Sequence, residues 1–282
     1  VSIIKKSARI LAREDSNAAQ IAAQALQADG VKLLTEHQVL RFEQSGTSKQ
    51  VMVRTQGQEL AIPYDQVIIA LGRKARLTGF GLEELGLPTE RTISTNEYLE
   101  TLFPNIYAAG DVAGPYQFTH VAAHQAWYAS VNALFGQFKR FKADYRVIPR
   151  VTFVDPEIAS VGFTEQEAQA QNIAYELSHF ELAELDRAIA EGTKTGFIKV
   201  LTVPGKDKIL GVTIVGAQAG ELLAEYVLAM KHGLGLNKIL GTIHSYPTLA
   251  EANKYVAGTW KRQHTPERLL AWVARYHAWR RG

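Results

Sequence analysis

Thr101-Leu102-Phe103-Pro104-Asn105-Ile106-Tyr107-Ala108-Ala109-Gly110-Asp111 is the stretch that decides how this chain is read. Ile106 to Ala109 is a short apolar run of the kind that forms a buried strand, and it stops at a glycine followed by a carboxylate. Ligands of open α/β sheets bind at the C-terminal edge of the strands. Gly110 would let a ligand approach the backbone there, and Asp111 can accept hydrogen bonds from sugar-like hydroxyls. The helix expected from about Thr119 could aim its first amides at a phosphate. Gly110-Asp111 alone reads better as a strand closed by an Asx-turn; the eleven residues together are far more specific.

Upstream, Val1 to Lys5 reads as a strand. Asp15-Ser16 offers a helix cap, Ala18 to Leu26 is rich in helix formers, Gly30 ends the helix, and Val31 to Leu34 is the next strand. Strand, helix, strand predicts a parallel, doubly wound α/β arrangement. His37 to Phe42, Gln50 to Arg54 and Glu59 to Ile62, separated by Ser45-Gly46 and Gln56-Gly57, predict an antiparallel meander. Gln66 to Leu71 is continuously apolar after its first residue and predicts a strand buried on both faces, ending at Gly72. Downstream, Thr119 to Phe135 predicts a long helix, and Gln137 to Arg146 a linker. Beyond the linker, strand-like runs at Arg150 to Val154, Ile158 to Phe163, Ala174 to Phe180, Gly196 to Thr202 and Ile209 to Val215 dominate. With helices at Thr164 to Gln171 and Glu221 to Lys231, they predict an α+β domain built on an antiparallel sheet.

The 282 residues suffice for roughly two domains. A net charge of +3, with basic residues spread along most of the chain, points to no nucleic-acid partner. No run approaches the ~20 apolar residues that span a bilayer, and the cytoplasm is the expected location. The absence of cysteine excludes disulfides, thiolate metal sites and cysteine nucleophiles within this stretch. No metal site is expected among the other residues. Val1-Ser2-Ile3-Ile4 already reads as a core strand, so the chain is expected to begin inside a domain.

The string from Thr101 to Asp111 resembles the second flavin-binding motif of the class I pyridine nucleotide-disulfide oxidoreductases, the family of lipoamide dehydrogenase, glutathione reductase and mercuric reductase. Val67-Ile68-Ile69-Ala70-Leu71-Gly72-Arg73 is similar to the segment linking that family's nucleotide domain back to its flavin domain. Val154-Asp155-Pro156-Glu157-Ile158-Ala159-Ser160-Val161-Gly162 resembles the opening of its dimerisation domain. The resemblance implies three segments: residues 1–72 from the NAD(P)-binding domain, 73–146 from the FAD-binding domain, and 147–282 for dimerisation. It implies that the glycine-rich phosphate turn, the first flavin fingerprint and the redox cysteine pair lie upstream of Val1, which accounts for the missing cysteines. Asp111 would contact the ribityl chain of FAD, with Gly72 and Gly110 in the same site and His120 approaching the flavin ring. The parent would pass electrons from NAD(P)H through FAD to a cysteine pair, as a homodimer joined through the C-terminal domain. This chain alone would be inactive, and the rival reading is a dimerisation module with no redox role.

Lys5 sits where NAD-preferring members of that family carry an acidic residue for the ribose 2′-hydroxyl. Lys5, Lys6 and Arg9 form a basic cluster instead, which suits the 2′-phosphate of NADPH over NADH; the bland alternative is a solvated loop. In Ile243-His244-Ser245-Tyr246-Pro247-Thr248-Leu249-Ala250-Glu251, lipoamide dehydrogenase-like members have His-x-His-Pro, whose second histidine is the acid/base in the partner's site and is oriented by a glutamate. Glu251 and His244 match that pattern, while Tyr246 stands in place of the catalytic histidine. A phenol, with a pKa of about 10, is a poor base where imidazole near 6.5 is well poised. Tyrosine at this point resembles mercuric reductases, which implies a small-molecule or metal-ion electron acceptor; the C-terminal cysteine pair of those enzymes is absent. The alternative for Tyr246 is packing at the dimer interface. Finally, Thr265-Pro266-Glu267 starts a helix in which Leu269, Trp272, Val273, Tyr276 and Trp279 recur at helical spacing among Arg268, Arg275 and Arg281. Such a helix can lie on a membrane surface, but packing on its own domain or on the partner subunit is expected.

Overall fold

The strand–helix–strand start forms as its residues dictate. β1 (Ser2–Ile4) pairs in parallel with β2 (Lys32–Leu34), Ile3 lying opposite Leu33, and α1 (Ser16–Ala28) connects them. The Asp15 carboxylate caps α1 by accepting from the Asn17 and Ala18 amides at 2.9 and 3.4 Å. This computed structural model describes residues 1–88 and 90–282. They divide into two compact units, one made of residues 1–65 with 147–282 and the other of residues 66–146.

In the first unit, β3 (Gln38–Ser45), β4 (Ser48–Thr55) and β5 (Gln58–Pro63) form the expected antiparallel meander. Gln56 and Gly57, both at positive φ, make its second two-residue turn. The larger sheet contains β6 (Pro149–Thr152), β7 (Glu157–Gly162), β8 (Glu176–Glu181), β9 (Phe197–Thr202) and β10 (Ile209–Gly216). Its order is β6-β7-β10-β9-β8, antiparallel throughout. The short helices α3 (Glu165–Ala170), α4 (Asp186–Glu191) and α6 (Leu236–Leu240) join its elements, and α5 (Ala219–Lys231) and α7 (Glu251–Gln263) cover one face.

All six residues of β9 are buried, which a sheet covered on one side does not allow. Ile198 and Val200 join the core with Leu223, Tyr226, Val256 and Trp260 from α5 and α7. Phe197 points the other way, where it meets Ile158, Val215 and the alanines Ala18 and Ala22 of α1. Alanine on the contact face lets α1 lie close against the sheet. The sheet is therefore sandwiched, with a helix from the first 65 residues on its reverse side.

Lys199 also faces α1, and only 5% of its side chain is exposed. Its ammonium donates to Asp15 at 3.0 Å, to the Asn17 side chain at 2.9 Å and to Glu165 at 2.6 Å, so its three protons have three acceptors. Thr152 donating to Glu14 (2.9 Å) and Gln166 donating to Ser16 (2.7 Å) add hydrogen bonds along the same seam.

In the second unit the two expected buried strands do not form as such. Residues 66–71 form no strand, and Ile68 and Leu71 are 93% and 89% exposed. A strand buried on both faces needs neighbours to take its backbone groups, and among the described residues no strand lies beside it. Residues 106–109 keep a single bridge, Tyr107 to Glu100, with the Ala108 amide donating to Leu99. A small core of Ala75, Leu77, Ile93 and Ala108 forms around them, and the long helix α2 spans Thr119–Phe135 as expected.

The C-terminal helix α8 (Glu267–Arg280) also forms, but it does not pack on its own domain: every residue except Val273 is exposed.

The buried ion network sets a stability prediction. Lys199→Met leaves Asp15 and Glu165 without their cation, and should cost about 3–5 kcal/mol in urea unfolding. A loss near the ~0–1 kcal/mol of surface ion pairs would contradict the burial argument.

Candidate functional site

In the second unit the chain runs extended into Ala109 and then turns at Gly110, whose φ is +81°. A side chain there would be strained, and a Cβ would stand 3.2 Å from that of Ala122 in α2. Residues Gly110–Val112 then make a single 3-10 turn. Gln125, wholly buried on the inner face of α2, holds the turn at both ends: its side-chain oxygen accepts from the Gly110 amide at 2.6 Å, and its nitrogen donates to the Gly114 carbonyl at 2.9 Å. The same nitrogen reaches the Tyr145 hydroxyl at 2.8 Å. Asn132, two turns further along that face, ties Tyr98 and Phe141 in the same way.

This turn presents Asp111 with its carboxylate partly open to solvent and an Arg73 guanidinium nitrogen 3.5 Å away. Gly72, at φ +119°, precedes that arginine. His120 stacks on Phe118 at the start of α2, ring centres 5.2 Å apart, and the helix begins there without a side-chain cap. The sequence reading missed Gln125 and Asn132. Their signal was present: Val121, Gln125, Ala129 and Asn132 form the buried stripe of α2, and amides on such a stripe must bond to something.

The second group lies in the other unit and splits into three separate pairs. Tyr246 is 69% exposed and donates to Asp186 at 3.1 Å, at the start of α4. That hydrogen bond, then the Asp186 charge, raises the phenol above the ordinary tyrosine value. Glu251 does not bond to Tyr246; its buried carboxylate accepts from the Thr248 amide at 3.2 Å, fixing the entry to α7. His244 has Nε2 at 3.1 Å from Glu225 of α5 and Nδ1 at 3.0 Å from the Thr242 carbonyl. Glu225 also accepts from Asn253 of α7 at 2.8 Å. A cavity of about 410 Å³ opens beside this segment, lined by Arg187, Glu191, Glu221, Glu225 and Thr248 among others. Asp186 and Glu225 were not legible in the sequence, being 60 and 19 residues from their partners.

At the end of β1, Lys5 is held by its backbone, its amide donating to Leu34 and its carbonyl accepting from His37. The side chains of Lys5 and Lys6 are exposed. Arg9 is engaged otherwise: its guanidinium donates to the carbonyls of Leu11, Ala12 and Glu14 at 2.9–3.0 Å, closing the loop that leads to Asp15. The expected cluster of three cations thus offers two to solvent.

Two family models match this chain. Pyridine nucleotide-disulphide oxidoreductase covers residues 1–126, and the pyridine nucleotide-disulphide oxidoreductase dimerisation domain covers residues 148–257. The chain is 34% identical over 264 residues to a mercuric reductase of Staphylococcus aureus, covering 93% of this chain and 48% of that protein. It is 32% identical over 253 residues to a dihydrolipoyl dehydrogenase of Chlamydia pneumoniae, covering 89% and 53%. Its fold is similar to the HOCl-induced flavoprotein disulfide reductase RclA from Escherichia coli, with a TM-score of 0.80, 26% identity and coverage of 92% and 59%. The chain spans about half the length of the curated relatives it matches.

The Tyr246–Asp186 pair is testable by titration. In Asp186→Asn the Tyr246 phenol should ionise at lower pH, read as phenolate absorbance in difference against Tyr246→Phe. An unchanged midpoint would show that Asp186 does not control it.

Proposed function

Because this chain belongs to the pyridine nucleotide-disulphide oxidoreductase family, we propose that it is the C-terminal part of an FAD-dependent, mercuric reductase-like NAD(P)H oxidoreductase. It would dimerise through residues 147–282 and work in the cytoplasm. The observation that carries the reading is the Gly110-Asp111 turn. A glycine at positive φ, close against Ala122 and pinned by a buried glutamine, sets a half-open carboxylate at the end of an extended segment. That arrangement suits a polyol chain such as the ribityl of FAD, with Asp111 accepting from a hydroxyl beside the Arg73 guanidinium.

The residues present fit one end of such a cofactor. The sequence contains no Gly-x-Gly-x-x-Gly turn for its pyrophosphate, and the exposed run at Val67 to Leu71 has the composition of a strand awaiting neighbours. Both features support the reading that the chain alone is inactive. When bound, FAD would supply two-electron chemistry between the nicotinamide and a disulfide or metal-ion acceptor. Lys5 stands where a carboxylate would favour NADH, and Lys5 and Lys6 are both exposed, so the proposed donor is NADPH, with a smaller part for Arg9 than its sequence position implied. Tyr246 would line the partner subunit's acceptor site as a protonated phenol whose one hydrogen is given to Asp186, leaving its oxygen to accept. Glu251 and His244 would shape the same segment through Thr248 and Glu225. A phenol so held cannot take a thiol proton as imidazole does, which favours an acceptor other than an ordinary dithiol substrate.

Flavin retention tests the turn. In the full-length protein, Asp111→Ala removes a charged acceptor and should weaken FAD binding roughly 10–100-fold. Equal flavin affinity in wild type and variant would remove Asp111 from the site.

A further inference from the structure

The C-terminal segment holds an unexplained concentration of charge and aromatic surface. Residues 267–282 carry four arginines and one glutamate, a net +3, which is the whole formal net charge of the chain. The remaining 266 residues balance. On the same segment Trp272 and Trp279 are 63% and 78% exposed, and Leu269 and Leu270 are both more than half exposed.

These side chains are arranged rather than scattered. Leu269, Trp272, Val273, Tyr276 and Trp279 fall on one face of α8, at three- and four-residue spacing. Tyr276 lies between the two tryptophans, ring centres 6.0 and 6.2 Å away, and the Arg280 guanidinium sits 6.0 Å from the tyrosine ring. Arg268 and Arg275 flank the face, while Ala271, Ala274 and Ala278 occupy the opposite side.

We propose that α8 is a surface-binding helix for anionic lipid, lying flat with its Trp/Tyr/Leu face in the headgroup region and its arginines on the lipid phosphates. Tryptophan and tyrosine favour that boundary, and each arginine near an anionic surface adds attraction. Among the described residues no helix is long and apolar enough to cross a membrane, so the contact is peripheral. Charge complementarity selects this occupant over a second copy of the chain, because two +3 segments brought together repel. The helix also lies beyond the residues matched by the dimerisation domain, which end at 257. The inference is independent of the proposed redox chemistry.

The test is co-sedimentation of the full-length protein with vesicles of phosphatidylcholine mixed with phosphatidylglycerol, and with phosphatidylcholine alone. Binding should occur to the mixed vesicles, fall with added salt, and blue-shift tryptophan emission. Arg268→Ala and Arg275→Ala should each weaken it roughly fivefold, and Trp272→Ala with Trp279→Ala should abolish the emission shift. Equal binding to both vesicle types, binding that survives removal of residues 267–282, or no binding at all would each overturn the proposal. So would loss of the dimer on removing that segment without any change in vesicle binding, which would assign α8 to a second copy.

Discussion

A lysine ammonium in the middle of a fully buried strand is the constraint on which the larger unit depends. Lys199 cannot reach water from β9, so three acceptors must come to it, and two of them, Asp15 and Asn17, belong to a segment more than 180 residues earlier. Asp15 serves twice, capping α1 and taking the Lys199 charge. One carboxylate thereby fixes both where α1 begins and where it sits on the sheet. An unpaired charge at that depth is costly, so an arrangement that slid α1 by one turn along the sheet would lose its ion pair. The apolar contacts of Ala18 and Ala22 with Phe197 hold the helix close; the ion network selects the register.

The same division between packing and polar anchoring recurs at the candidate sites. In the second unit, Gln125 spans the Gly110 turn as Lys199 spans its seam, by bonding to both ends of something that could otherwise relax. Around residues 244–251, three side chains that the sequence places in one short stretch turn to three different partners. Tyr246 is the one left on the surface, and Asp186 biases it toward donating a hydrogen bond rather than accepting a proton. On the proposed reading, this is how a family framework built for thiol chemistry is turned toward another acceptor.

Much of the fold was legible because its signals are local. The Asp15 cap, the turns of the meander and the apolar runs of the five-stranded sheet are each written within a few residues. The failures share a cause: they depend on what lies opposite. The burial of Lys199 is not written within the strand-like run Gly196 to Thr202, since nothing nearby shows that α1 covers that face. Val67 to Leu71 reads as doubly buried from composition alone, but composition cannot supply neighbouring strands. Arg9 reads as a phosphate ligand because its charge is visible in the sequence and the carbonyls of Leu11, Ala12 and Glu14 are not. At the candidate site, Gly110 and Asp111 were readable from their string, whereas Gln125 and Asp186 act through contacts that only folding creates.

The central functional claim is that the segment from His244 to Glu251 belongs to the reacting site of a disulfide reductase-like enzyme, with Tyr246 setting its acceptor. Steady-state NADPH oxidation by the full-length protein, with oxidised lipoamide and with a thiol-bound Hg(II) complex, measures this directly when wild type is compared with Tyr246→His. The account predicts that histidine raises the lipoamide rate by restoring a base of suitable pKa. Unchanged rates with both acceptors would contradict it and leave Tyr246 as a surface residue.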